Sequence, residues 1–229
     1  MKIGVLGGTF DPIHRAHLTI AACALDEYSL DEVWFMPAGD PYFKEGSSVT
    51  APGIRLAMTE KCIEAFGEPR FKCSDFEIRD RHRTYTSQTF RRLGEACPDD
   101  RFFFIMGLDS LESLHSWYKP EELFRCAVIL CALRQKERSG NETFFHKDEE
   151  TMLSGMTGED EDERRFRRAV SFLKERFPDA APDIRRLHCP EIAMSSTLIR
   201  EKAKAGEDIL TFVTPAVARF IREHGLYGT

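Results

Sequence analysis

A chain of 229 residues, 42% hydrophobic and 31% charged, is long and apolar enough to bury the core of one large α/β domain. Its net charge of -6 and pI near 5.7 argue against a nucleic-acid groove, so a bound phosphate must be met by a few placed cations. The longest apolar run, Cys126 to Leu133, is far too short to span a membrane, and the N-terminal run is too short for a signal peptide. Seven cysteines, an odd number with no C-x-x-C pair, predict reduced thiols and a cytoplasmic protein rather than a disulfide framework or a zinc site. Cys73, Cys126 and Cys131 lie in apolar runs and read as core fillers.

Lys2 to Leu6 is short, apolar and β-branched, as a buried parallel strand requires. Gly7 and Gly8 end it and let the backbone turn sharply and approach a ligand. Pro12 can set φ in the turn, and a helical pattern starts at about His14 and continues through Leu18, Ala21, Ala22 and Leu25. A helix N-terminus just past a glycine turn is an anion site, because free N–H groups and the macrodipole face the same ligand. His14 and His17 share one face of that helix start. Neither G-x-x-x-x-G-K-[ST] nor G-x-G-x-x-G is present.

Glu32 to Pro37 predicts a second strand, breaking into A-G-D-P-Y-F-K, where Lys44 is either a phosphate ligand or a solvated lysine. Gly53 to Phe66 predicts a helix with Ile54, Ala57, Met58, Cys62 and Ala65 as its apolar face and no catalytic role. Phe71 to Ile78 reads as a third strand, followed by a basic cluster of Arg79, Arg81, His82 and Arg83 that also suits a solvated turn. Thr86 or Ser87 can cap a helix running to about Ala96. Arg101 to Met106 is a fourth strand; after it, Asp109 can accept from ribose hydroxyls or cap a short helix to Leu114. Trp117, one of two tryptophans, sits in the polar string H-S-W-Y-K, where its ring can stack on a ligand or lie half-buried under a loop. His115 beside it reads as a surface or capping residue.

Cys126 to Leu133 is a fifth strand that enters Arg134. From about 136 to 186 the chain is highly charged. Phe166, Val170, Leu173 and Phe177 follow 4-3-4 spacing and predict an amphipathic helix from about Asp160 to Arg176, acidic at its start and basic later. The stretch is too short and polar for its own core, so it reads as an insertion with one docked helix and a loop around Gly140 to Gly158. Leu187 to Ile192 reads as a last short strand. M-S-S-T-L-I-R, Met194 to Arg200, then opens a helix that Gly206 ends, and Ser195, Ser196 and Arg200 make a second anion cradle. Thr214 caps Pro215 at the start of a closing helix through Val217 to Ile221.

The string G-G-T-F-D-P-I-H-R-A-H in the first β-to-α turn closely resembles the signature of the nucleotidyltransferase superfamily that shares the H-x-G-H motif. Its ending F-D-P-I-H is most similar to the bacterial nicotinate-nucleotide adenylyltransferases, and M-S-S-T-L-I-R resembles their I-S-S-T-x-I-R motif. The resemblance covers Lys2 to about Arg134 and Met194 to the end. Ala16 departs from it, standing where that family usually has glycine. Tyr42 and Phe43 replace P-H beside the retained Pro41 and Lys44, and Gln135 and Lys136 replace P-G after Arg134.

The resemblance implies a Rossmann-like fold, a parallel five-stranded sheet in the order 3-2-1-4-5 with helices on both faces, and a site above the strands' carboxyl ends. It implies a single adenylyltransferase domain over residues 1–229, with the insertion at about 136–186. The implied reaction joins ATP to nicotinate mononucleotide, giving nicotinate adenine dinucleotide and pyrophosphate in NAD biosynthesis, with Mg2+ bound through the ATP phosphates. His14 and His17 would be catalytic. Gly7, Gly8, Thr9, Phe10, Lys44, Arg134, Ser195, Ser196 and Arg200 would meet substrate phosphates or shape the turn that does. Asp109 would meet a ribose, Trp117 would stack on the pyridine, and main-chain N–H groups near Thr86 and Tyr118 would face the nicotinate carboxylate. Partners are then the two nucleotides, without nucleic acid or membrane and with a homo-oligomer open. Adenylyl transfer to nicotinamide mononucleotide or phosphopantetheine, or a non-catalytic nucleotide sensor, are the alternatives.

Overall fold

The computed structural model describes residues 1–39, 49–80, 85–135, 161–190 and 194–229, with the backbone only at Arg134 and Gln135. Lys44, Arg81, His82, Arg83 and the loop expected around Gly140 to Gly158 lie outside the described residues. Strand β1 (Lys2–Gly8) sits mid-sheet, parallel to β2 (Glu32–Pro37) on one side and β4 (Arg101–Gly107) on the other. With β3 (Phe71–Cys73), β5 (Ala127–Gln135) and β6 (Ile184–Pro190), the described residues form a sheet of order β3-β2-β1-β4-β5-β6.

Every strand pair is parallel, so both faces must be covered, and the side chains divide accordingly. Leu6, Phe103, Ile105, Val128 and Leu130 face helices α1 (Arg15–Glu27), α2 (Pro52–Phe66), α8 (Ser196–Lys204) and α9 (Pro215–Glu223). Ile3, Val5, Phe102, Phe104 and Ile129 face α4 (Thr86–Ala96), α5 (Leu108–Ser113), α6 (Pro120–Cys126) and α7 (Glu161–Arg176). Caps stop and start these helices where their chemistry requires. Thr214 Oγ1 accepts from the Val217 N–H, with Pro215 opening α9, and Gly67 ends α2 in the left-handed conformation at φ 81°.

Several expectations are corrected. The sheet has six strands rather than five, because Ile184–Pro190 extends it beside β5, starting three residues earlier than its own apolar run. That edge strand is covered by the end of α1: the His188 N–H donates to Glu27 Oε2 at 2.9 Å and the Tyr28 hydroxyl to the Arg186 carbonyl. The third strand stops at Cys73, and Phe76–Arg79 forms a helical turn, α3. A short apolar run does not distinguish strand from helix, and here the ladder ends where the Ser74 N–H meets the Phe35 carbonyl. Cys126 closes α6 instead of opening β5. The buried stripe of α2 is Arg55, Met58, Thr59, Cys62 and Ile63, with Ala65 exposed, because the helix turns that face toward β3 and α9.

Helix α7 buries Phe166 and Leu173 as expected, but Ala169 takes the buried place between them, while Val170 and Phe177, the latter just past the helix end, are only half-buried against the same core. It packs on α5, where Arg165 bridges Glu112 at 2.6 Å, Asp109 at 2.9 Å and Asp162 at 3.1 Å. No described helix is long and apolar enough to cross a membrane.

Candidate active site

The glycine turn leaves β1 at its carboxyl end. Phe10 takes a left-handed backbone at φ 50°, its ring buried against Phe35 and edge-on to His17 with centroids 4.9 Å apart. Holding a phenylalanine there costs roughly 1 kcal/mol, offset by that burial. A Cβ on Gly8 would come within 2.9 Å of the Phe10 ring, so the glycine makes room for this ring as well as for a ligand. His14 is the N-cap of α1, and its ring stacks on that of His17 at 3.7 Å.

The His14 N–H donates to His17 Nδ1 at 3.2 Å, which fixes the neutral His17 tautomer with its proton on Nε2. Burial lowers His14 to about 4. Burial and then the neighbouring His14 hold His17 well below the ordinary histidine value. Both rings are therefore neutral N–H donors at neutral pH. His14 Nδ1 is buried with no hydrogen-bond partner among the described residues.

Two cavities meet at this turn and share Gly7, Phe104 and Trp117 as a common wall. One, of about 530 Å³, is bordered by His14, Ala16, His17, Asp109, Ser195 and Ser196. The other, of about 200 Å³, lies among Gly8, Thr9, Glu77, Thr86, Phe90 and Tyr118. Its rim is built across elements: the Ser87 hydroxyl donates to the Tyr118 carbonyl at 2.8 Å, and the Tyr85 and Tyr118 rings stack at 4.4 Å. Glu77 accepts from Thr89 Oγ1 at 2.7 Å, and burial raises its pKa while that hydroxyl opposes the shift.

The structure thus gathers Gly7, Gly8, Thr9, His14, His17, Thr86, Asp109, Trp117, Tyr118, Ser195 and Ser196 onto two adjoining cavities. Tyr85 rather than Thr86 or Ser87 is the N-cap of α4, which leaves Thr86 at the first helical position, on the cavity wall. Ser195 caps α8 by accepting from the Leu198 N–H. Ser196 donates to the Pro12 carbonyl, and Arg200 to the Asp11 carbonyl and Thr197 Oγ1, so the second cradle grips the first turn directly. Asp109 is exposed and paired with Arg165, which also borders the larger cavity.

Arg55 was not legible as a site residue. It is fully buried, donating to the carbonyls of Thr9 at 2.6 Å, Ala38 at 2.6 Å, Gly39 at 3.0 Å and Thr50 at 2.8 Å. The available signal is its place in the stripe Arg55, Met58, Thr59, Cys62, where a charge interrupts apolar spacing. Arg134 lies on β5, next to the carboxyl ends that form the site.

A strand, a glycine turn and a helix start carrying two neutral histidines form an α/β site at the carboxyl ends of the sheet, and the chain belongs to the cytidylyltransferase-like family, whose profile matches residues 5–202. It is 35% identical over 228 residues to the "Probable nicotinate-nucleotide adenylyltransferase" of Dehalococcoides mccartyi, covering 99% of this chain and 97% of that one. It is 37% identical over 226 residues to the protein of the same name from Neisseria meningitidis serogroup B, covering 99% and 98%. Within its class the chain therefore falls in the nicotinate-nucleotide adenylyltransferase family. The fold is shared with Plasmodium falciparum nicotinic acid mononucleotide adenylyltransferase complexed with NaAD, at a TM-score of 0.68 and 19% identity over 99% of this chain and 97% of that one.

Proposed function

We propose that this chain transfers the adenylyl group of ATP to nicotinate mononucleotide, yielding nicotinate adenine dinucleotide and pyrophosphate for NAD biosynthesis. The observation that carries this reading is the pair of cavities meeting at Gly7 and Trp117, which lets two nucleotides lie end to end across the glycine turn. The larger takes ATP, and the smaller takes the pyridine nucleotide.

No protein nucleophile is needed. A phosphate oxygen of the mononucleotide, already ionised, attacks the α-phosphorus in line. The new P–O bond forms as the bond to the pyrophosphate bridging oxygen breaks, and the electron pair leaves with pyrophosphate. Catalysis is then positioning plus neutralisation of developing charge. His17, through Nε2–H, and His14 donate to phosphate oxygens, and the start of α8 holds the far phosphates with Ser195, Ser196 and Arg200. Lys44 and Arg134 would add cationic charge toward substrate phosphates, as the family motif implies. Trp117 stacks on the pyridine, and the first-turn N–H groups of α4 at Thr86, with the Tyr118 N–H, meet its carboxylate.

Among the described residues no group of three or more His, Cys, Asp or Glu side chains could cage a metal. Mg2+ would enter as part of the substrate, bound to the triphosphate and keeping most of its waters. The insertion belongs to the same unit, since α7 docks on α5 beside the ATP cavity. Seven free cysteines suit a reducing cytoplasm.

The test is pyrophosphate release from ATP with nicotinate mononucleotide, its amide or phosphopantetheine as acceptor. The acid should be the preferred acceptor, and His17→Ala should lower turnover by at least about 100-fold with the fold intact. A near-wild-type rate in that variant would reject the assigned role. Absence of product with every acceptor would point instead to a nucleotide sensor.

A further inference from the structure

We infer that Tyr227, in the last turn of the chain, is a positioning residue for adenylyl transfer that acts through the carboxylate of Asp11. The inference rests on the function proposed above. Asp11 lies in the turn between the two glycines and the two histidines and is only 2% exposed. Its Oδ1 accepts from the Tyr227 hydroxyl at 2.7 Å, and its Oδ2 from the Thr50 N–H at 3.2 Å. The main chain of the same turn is gripped separately: Arg55 donates to the Thr9 carbonyl, Arg200 to that of Asp11 and Ser196 to that of Pro12.

Asp11 is thus the side-chain anchor of a turn whose carbonyls are already engaged. Tyr227 itself holds a left-handed backbone at φ 61°, a conformation that a non-glycine residue keeps only when its surroundings enforce it. Its ring packs against the core while its hydroxyl reaches the carboxylate. Losing that hydroxyl leaves one oxygen of a buried carboxylate without its donor. The nearby guanidinium groups of Arg55 and Arg200 could replace it only by releasing the turn carbonyls they now hold. The histidines would shift with the turn, and small displacements of charge-stabilising groups cost turnover more than binding.

The test is steady-state kinetics of the full-length enzyme on ATP and nicotinate mononucleotide. Tyr227→Phe should lower kcat about 10-fold with both KM values within about twofold. Asp11→Asn should do the same, and the double variant should be no worse than Asp11→Asn alone. Leu226→Ala, which loosens the packing of the same turn but keeps the hydroxyl, should match the loss of Tm and keep kcat within about twofold. Equal kcat losses in Leu226→Ala and Tyr227→Phe, or additive effects in the double variant, would overturn the inference. Should the wild type turn over and Tyr227→Phe stay within twofold, this inference alone fails. A wild type without turnover would sink the functional reading and this inference with it.

Discussion

Replacing Arg55 by methionine keeps an unbranched, apolar stem, shorter than arginine by two atoms, and removes every donor it offers. Four carbonyls, of Thr9, Ala38, Gly39 and Thr50, lose their partner in a site that water does not reach. At about 1 kcal/mol net for each, the loss is about 4 kcal/mol. Against it stands the desolvation of the guanidinium, which lowers its pKa and is only partly compensated by Asp11. Methionine recovers some of that cost, so the net destabilisation should be about 3 kcal/mol. For a chain of this size, that corresponds to a fall in Tm of about 6–12 °C. Turnover should fall further than the unfolded fraction explains, because Arg55 ties the histidine turn to the loop after β2. Arg55→Lys should rescue little, since a single ammonium cannot span carbonyls on three segments. Thermal unfolding together with pyrophosphate release checks both parts. A Tm within about 2 °C of wild type in Arg55→Met would refute the reasoning.

Acid should weaken the fold through the histidines. An unfolded His14 titrates near 6.5 and the folded one at about 4, so the unfolded state binds more protons between those values and stability is lost as pH falls through them. The loss from His14 should be about 2 kcal/mol between pH 7 and pH 5, and urea unfolding of His14→Asn should show a shallower pH dependence; parallel curves would contradict the assignment. Gly39→Ala should cost about 1–3 kcal/mol, because its Cβ would sit 2.5 Å from the Glu77 carbonyl oxygen and force the loop after β2 away from α3; an unchanged Tm would show that this contact yields freely. Trp117→Ala should raise the KM for nicotinate mononucleotide about 10-fold or more, with Trp117→Phe retaining most of the affinity, and equal KM values in all three proteins would exclude stacking.

What could be read along the chain was local. Strand β1 and the start of α1 declare themselves by an apolar run and a 3.6-residue pattern; the strand runs two residues further than Leu6, through both glycines, and α1 starts one residue past His14. Ser195 and Thr214 cap their helices as short hydroxyl residues before helical runs should. Phe166 and Leu173 bury α7 as their helical spacing requires, although the surrounding stretch is charged. In each case the deciding interactions lie within one or two turns, so residue order alone carries them.

What tertiary structure decided involves partners far apart in sequence. The run Phe71 to Ile78 splits into strand and helix because only three residues find ladder partners on β2. The apolar run from Leu187 announces a last strand but neither its start at Ile184 nor its place in the sheet, which the edge of β5, with the end of α1 as cover, supplies. Arg55 looks like any helix-surface arginine until two loops surround it with carbonyls, and Asp11 and Tyr227 meet across almost the whole chain. Periodicity reports which way a side chain faces, whereas the donors and acceptors waiting there depend on how the layers stack.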